Sequence, residues 1–136
     1  MGQEKIKVLL VDDEKDFINM MQYWLEQKGF DVSVIYRGGQ VLAKVETEKF
    51  DIVFLDLFLP DIHGLDVLRS IKAAGNNIPV VIFSAYGSKE NLTQATKLGI
   101  SGFFAKDKGF NEAVKLIHIA LRTHKGLTKP AKGEKE

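Results

Sequence analysis

Cysteine is absent from this 136-residue chain, which excludes a disulfide scaffold and any thiolate metal site. The absence agrees with a reducing compartment without establishing one. An excess of one charge is missing too: 19 basic residues face 18 acidic ones, so nothing in the overall balance suggests nucleic acid. The small bias that exists sits in segment 125–136, where four lysines meet two glutamates; the remainder holds 15 basic and 16 acidic residues. Long apolar runs are also lacking. None has the length that spans a bilayer, and the run VLLV near the N-terminus is too short for a secretory signal. Ile6 stands where a myristoylation signal carries Ser or Thr, and no internal repeat is visible. The expectation is a soluble, cytoplasmic protein with no direct nucleic-acid or membrane contact. Apolar residues make up 45% and charged residues 27% of the chain, enough for one domain with its own core.

What the chain does contain is an alternation of two patterns. Short apolar runs fall at Lys7–Val11, Val32–Tyr36, Ile52–Leu55, Val80–Phe83 and Gly102–Ala105. Several are solidly apolar instead of alternating, the pattern of strands covered on both faces. Between them lie helical periodicities. Phe17, Met21 and Leu25 share one face, with Asp13 as the expected N-cap, Asp16 three residues on and Gly29 as the stop. Gly39–Glu48 gathers Val41, Leu42 and Val45, and Gly64–Ala74 gathers Leu65, Leu68 and Ile71. Lys89–Leu98 opens at a Ser88 cap and closes at Gly99. The last helix carries Phe110, Val114, Ile117 and Leu121. That leaves Leu116 and Ile119 off the stripe, for a partner or dimer surface or for marginal packing. Beyond it the polar stretch 125–136 reads as a frayed tail or the start of a linker. Five strands alternating with five helices predict a doubly wound α/β fold on a parallel sheet, with ligands at the carboxyl ends of the strands.

The residues that close those strands carry the chemistry. Strand one ends in Asp12–Asp13, with Glu14 next; strand three ends in Asp56, strand four in Ser84 and strand five in Lys106. A parallel sheet brings them to one edge. Carboxylates about 4 Å apart repel by roughly 4 kcal/mol per pair at an effective dielectric of about 20. A hard divalent cation such as Mg²⁺ removes that repulsion, and an all-oxygen set suits it. Asp56 can then attack phosphorus, with Mg²⁺ and Lys106 neutralising the equatorial oxygens and Ser84 donating to one of them. Small Ala85 leaves room for the phosphoryl group.

Taken singly, each residue has a plainer reading. Asp12 and Asp13 can be helix caps, Asp56 the head of a turn before Pro60, Ser84 a strand end and Lys106 a surface lysine. His63, His118 and His124 lack a second ligand at metal-binding spacing and are expected to be solvated. Gly38–Gly39 have no nucleotide-loop context and are expected to begin the second helix.

In their order along the chain, Asp12–Asp13, Asp56, Ser84 and Lys106, with the stretch LDLFLPDIHGLDVLRSIK, resemble the receiver domain of two-component response regulators. The resemblance covers roughly Lys5–His124, so the expected division is a receiver domain over 1–124 and a polar tail or linker over 125–136. It implies a five-stranded sheet in the flavodoxin-like order 2-1-3-4-5 with five helices. It implies Asp56 as the residue phosphorylated by a histidine kinase or histidine phosphotransfer protein. Mg²⁺ would be held by Asp12, Asp13, Asp56 and the backbone carbonyl of Phe58, and phosphoryl oxygens by Ser84 and Lys106. Ser84 and Phe103 would form the switch. Such a domain assists its own phosphorylation and dephosphorylation and is not an enzyme turning over an external substrate. Its output surface would be the face of helix four, strand five and helix five, toward an unknown downstream protein or a second copy in a homodimer.

Two positions depart from the family pattern. Asp107 follows Lys106 where the family usually carries Pro, often after a cis peptide bond. A non-proline cis bond is costly, so a trans bond that places Lys106 differently is open here and the sequence does not decide between cis and trans; Asp107 is also a competitor with phosphate for Lys106. Phe103 has no hydroxyl, so its switching rests on packing. Phe58 and Tyr86, two residues beyond Asp56 and Ser84, are expected to shield the acyl phosphate from water. Two other functions compete. One is a module of the same fold that binds a partner without phosphorylation, to which Asp107 lends weight. The other is a Mg²⁺-dependent phosphatase with an aspartyl intermediate, whose haloacid-dehalogenase-like pattern needs a second Asp where Phe58 stands.

Overall fold

A computed structural model describes residues 5–85 and 89–124, with side chains through 122. The chain runs β1 (Lys7–Val11), α1 (Lys15–Gln27), β2 (Asp31–Ile35), α2 (Val41–Thr47), β3 (Ile52–Asp56) and α3 (Gly64–Ala73). It continues through β4 (Val80–Ser84), α4 (Lys89–Lys97), β5 (Gly102–Ala105) and α5 (Phe110–His124), with single 3₁₀ turns at Gly38–Gln40 and Lys106–Lys108. Every strand pairing is parallel and the sheet order is β2-β1-β3-β4-β5. This is the doubly wound five-stranded fold expected from the sequence.

Solidly apolar strands fit this sheet because their period of two feeds two cores at once. On β1, Leu9 and Val11 enter the core shared with α2, α3 and α4, while Val8 and Leu10 enter the core shared with α1 and α5. On β3 the same split separates Val53 and Leu55 from Ile52 and Phe54; on β4 it separates Val80 and Ile82 from Val81 and Phe83. Each such side chain contributes about 1.5–3 kcal/mol of transfer free energy, and a slip of one residue would send each to the wrong core. The central strands therefore fix the register on which their polar ends depend.

Element ends follow local chemistry. α1 stops where Gly29 adopts a φ of 97°, letting the Gly29 and Phe30 amides return to the Glu26 and Leu25 carbonyls. Its start differs from expectation. Glu14, not Asp13, holds the capping position, and no side chain caps the helix; Asp12 Oδ1 instead accepts the Glu14 N–H at 2.9 Å. β2 lies one residue earlier than the apolar run, because its ladder with β1 pairs Lys7 with Asp31 and Val11 with Ile35. α2 is shortened by the 3₁₀ turn that precedes it. Leu116 is half-buried against β5, since Gly102 carries no side chain to hold it off; Ile119 is exposed. The features expected at Tyr86, Ser88 and 125–136, and the side chain of His124, lie outside the described residues. Among the described residues no helix is long and apolar enough to cross a membrane.

Candidate functional site

Strand register brings the acids together. β1 and β3 are neighbours with Val11 opposite Leu55, so Asp12 and Asp56 reach the sheet edge side by side. The Asp12 amide donates to the Ile35 carbonyl at 3.0 Å, prolonging the β1 ladder by one residue. Asp12 is 0% and Asp56 5% exposed, whereas Asp13 is open to solvent. Ser84 closes β4 and is buried, and Lys106 opens the 3₁₀ turn after β5.

Lys106 ties this edge together. Its Nζ lies 2.6 Å from Asp12 Oδ2, 3.0 Å from Glu14 Oε1 and 3.4 Å from Asp56 Oδ2. The Phe17 and Phe83 ring centres stand 4.8 and 5.5 Å from the same nitrogen, so the ammonium is also held by aromatic faces. The Asp12–Lys106 contact is one of charge without hydrogen-bond geometry, and Asp12 Oδ2 is buried with no hydrogen-bond partner.

Burial, and next the charge of Asp12, push Asp56 from its ordinary 3.8 up to about 7. Lys106 and the Phe58 amide, 3.4 Å from Asp56 Oδ1, pull the other way without offsetting them. Burial also works against the Lys106 ammonium, but the carboxylates of Asp12, Glu14 and Asp56 outweigh it and hold the group above its ordinary value. The metal-free pocket thus carries more acid than one lysine neutralises.

The loop from β3 to α3 is anchored at several points. The Gly64 amide donates to the Leu57 carbonyl at 2.6 Å, and a Cβ at Gly64 would run into the Asp56 carbonyl and come within 2.7 Å of Leu57 Cα. Asp61 accepts from the Gly38 and Gly39 amides at 2.9 Å each. The Gly39 amide first, and that of Gly38 beside it, hold the Asp61 carboxyl below its ordinary range against opposing burial. His63 is not the solvated loop histidine expected: its Nδ1 accepts the Leu65 N–H at 3.1 Å as the cap of α3, and its ring meets Phe58 edge-on. His118 is exposed, as expected.

Asp13, Glu14, Asp56, Phe58, Ser84, Ala85 and Lys106 line an open pocket of about 270 Å³. Asp12 lies buried behind it. Phe103 does not line it; this ring is half-buried on the side of the sheet covered by α3 and α4. The Lys106–Asp107 peptide is trans, as no cis bond occurs among the described residues. Asp107 is exposed, and the carboxylate that shares Lys106 from outside the buried pair is Glu14. Sequence reasoning passed over Glu14, Phe17 and Phe83 as site residues, and also over the Asp61 clamp. Only Glu14 carried a sequence signal, its place directly after Asp13.

Asp12, Asp13 and Asp56 each offer a carboxylate oxygen, and the three lie within 4.8 Å of one another. With Asp12 Oδ2 buried and lacking a hydrogen-bond partner, this all-oxygen, net-negative set fits a hard divalent cation.

The sequence profile of the response regulator receiver domain matches residues 8–118. The transcriptional regulatory protein ZraR of Salmonella typhimurium is 32% identical over 121 residues, covering 89% of this chain and 27% of that protein. The alkaline phosphatase synthesis transcriptional regulatory protein PhoP of Bacillus subtilis is 32% identical over 116 residues, covering 85% and 48%. The chain thus spans between about a quarter and a half of the length of these relatives. Among solved structures, the receiver domain of Francisella response regulator 1452 matches with a TM-score of 0.81 at 27% identity, over 88% of this chain and 98% of that one. A CheY-like receiver domain from Methanospirillum hungatei, at 24% identity, shares the fold with a TM-score of 0.83 over 91% and 99%. Receiver domains bind Mg²⁺ at an acidic pocket, and Asp12, Asp13 and Asp56 form a cluster here that could hold a metal ion. By sequence profile and by fold, the chain belongs to the response regulator receiver-domain family of two-component systems.

Proposed function

We propose that this chain is a phosphoacceptor switch in which Asp56, with Mg²⁺ bound, takes a phosphoryl group from a histidine kinase or histidine phosphotransfer protein. The observation that carries this is the setting of Asp56: a buried carboxylate that lines a pocket beside Asp12, with Lys106 Nζ 3.4 Å from Oδ2. Asp12, Asp13, Asp56 and the Phe58 carbonyl are the groups that would hold the ion. When bound, Mg²⁺ supplies positive charge that favours ionised Asp56 and offsets charge on the phosphoryl oxygens.

The remaining steps fall to the chain's own groups. An Asp56 carboxylate oxygen attacks phosphorus; the O–P bond forms as the P–N bond to the donor imidazole breaks, and the imidazole leaves with that electron pair. Lys106 binds one phosphoryl oxygen, Ser84 donates its hydroxyl to another, and Ala85 leaves the space they occupy. Attack by water on phosphorus later restores the carboxylate and releases phosphate, so no external substrate is turned over. Phe58, 47% exposed at this pocket, shields the acyl phosphate; Tyr86, assigned the same role, lies outside the described residues. Phe58→Asn is expected to speed decay of the phosphoryl adduct several-fold, and unchanged decay would remove Phe58 from that role.

Output runs through Ser84 and Phe103, whose packing responds to the phosphoryl group. Ala95 is the one buried residue of α4, so this helix is lightly held. The α4–β5–α5 face, with Leu92 and Ile119 exposed, is the surface offered to a downstream protein or to a homodimer partner. Residues 1–124 form the receiver and 125–136 a tail or linker, working in the cytoplasm without direct nucleic-acid contact. The test is intact-protein mass spectrometry after incubation with Mg²⁺ and acetyl phosphate, with Asp56→Ala alongside. One phosphoryl adduct that needs both Mg²⁺ and Asp56 is expected. A folded, Mg²⁺-binding protein that takes no adduct would instead be a phosphorylation-independent binding module.

A further inference from the structure

No role above falls to Glu14, yet its carboxylate lies nearer Lys106 than Asp56 does. Glu14 Oε1 is 3.0 Å from Nζ, against 3.4 Å for Asp56 Oδ2. The ammonium has three N–H donors, and the carboxylates of Asp12, Glu14 and Asp56 surround it. A phosphoryl oxygen on Asp56 is a further anionic acceptor for the same ammonium, and it competes with Glu14 and Asp56, the two carboxylates that accept hydrogen bonds from it.

The partners are unequal in what their release costs. Asp12 is 0% exposed, and taking Lys106 from it would leave a buried charge uncompensated. Asp56 carries the phosphoryl group itself, so Lys106 stays on that side. The Glu14 side chain is 62% exposed, and on release water solvates it at little cost. Glu14 is also well placed to hold the lysine: its amide is fixed to Asp12 Oδ1, and its side chain makes no capping bond to α1.

We propose that Glu14 is a positioning residue, a latch that engages Lys106 in the unmodified protein and cedes it to a phosphoryl oxygen when Asp56 is phosphorylated. The inference rests on Asp56 being the phosphoacceptor. It assigns to Glu14 the competition for the lysine that Asp107 was expected to provide.

Two variants separate contact from charge. Glu14→Ala removes both, whereas Glu14→Asp keeps the charge but falls one methylene short of Lys106. With Mg²⁺ saturating for each variant by its own binding curve, adduct formation from acetyl phosphate is expected to quicken about two- to fivefold in both, the scale on which a partly exposed ion pair acts. In the unmodified protein the Lys106 ammonium protons, followed by heteronuclear NMR, are expected to exchange faster with water in both variants. A quickening confined to Glu14→Ala would assign the effect to charge at the pocket mouth and overturn the latch. Unchanged rates in both variants, or unchanged ammonium exchange, would overturn it as well while leaving the phosphoacceptor role intact. Failure of the parent protein to form any adduct would overturn that role, and the exchange with it.

Discussion

Asp56, which closes β3, and Asp61, on the connection from β3 to α3, are driven in opposite directions. Burial, then Asp12, push Asp56 up to about 7, whereas the Gly39 and Gly38 amides hold Asp61 below 3.8. The cause lies in the donors each one meets. Asp56 sits beside another acid, with one amide at 3.4 Å and an ammonium that it shares. Asp61 is open to water and takes two amides at 2.9 Å. An acid short of donors is ready for a cation or a phosphoryl group, while an acid saturated with them holds the chain in place. Two acids five residues apart in the sequence thus meet opposite environments.

The contrast can be broken most severely at Gly64, where the loop closes against Asp56. Gly64→Ala would press a methyl group into the backbone of Asp56 and Leu57, and a loss of about 3 kcal/mol is expected in urea denaturation. A loss well below that would mean that the loop yields easily and does not hold Asp56 in place. Next in size is Asp56→Asn. Because the folded-state value of Asp56 is raised from 3.8 to about 7, its stabilising contribution is full below pH 3.8 and is lost as pH rises through about 7. The metal-free variant should therefore exceed the parent in stability at pH 8 by on the order of 2 kcal/mol, with the gap closing toward pH 4. A gap independent of pH would show that ionised Asp56 is not disfavoured by its site.

Asp61→Ala is expected to have the smallest effect and the opposite sign. The lowered value of Asp61 means that its contribution is present above pH 3.8 and fades as pH falls further. The variant should unfold at slightly lower denaturant at neutral pH, with the deficit shrinking in acid. Faster hydrogen exchange at the Gly38 and Gly39 amides is the accompanying sign, and unchanged exchange there would remove Asp61 from its role as a clamp.

Much of this was legible before the structure. The runs at Lys7–Val11 and Gly102–Ala105 are strands with those bounds, since a short unbroken apolar run is a local property of the chain. The acids and the lysine share one edge because parallel strands end together. The order β2-β1-β3-β4-β5 came from family resemblance, for no apolar run states which strand lies beside which. Asp13 looked like the cap of α1, but where α1 begins depends on Asp12 being drawn into the β1 ladder. Asp61 and Gly38–Gly39 are separated by more than twenty residues, and the hold of Phe17 and Phe83 on Lys106 spans three elements. Contacts of that kind arise only once the sheet has assembled.

Carboxyl-carbon NMR titration of Asp56 and Asp61, without and with Mg²⁺, tests the contrast most directly. Asp56 is predicted to titrate at about 7 in the metal-free protein and to fall toward the ordinary range when Mg²⁺ is added, with Asp61 below 3.8 throughout. An Asp56 that titrated at 3.8 without metal would contradict the account, because the site would then hold no acid short of donors.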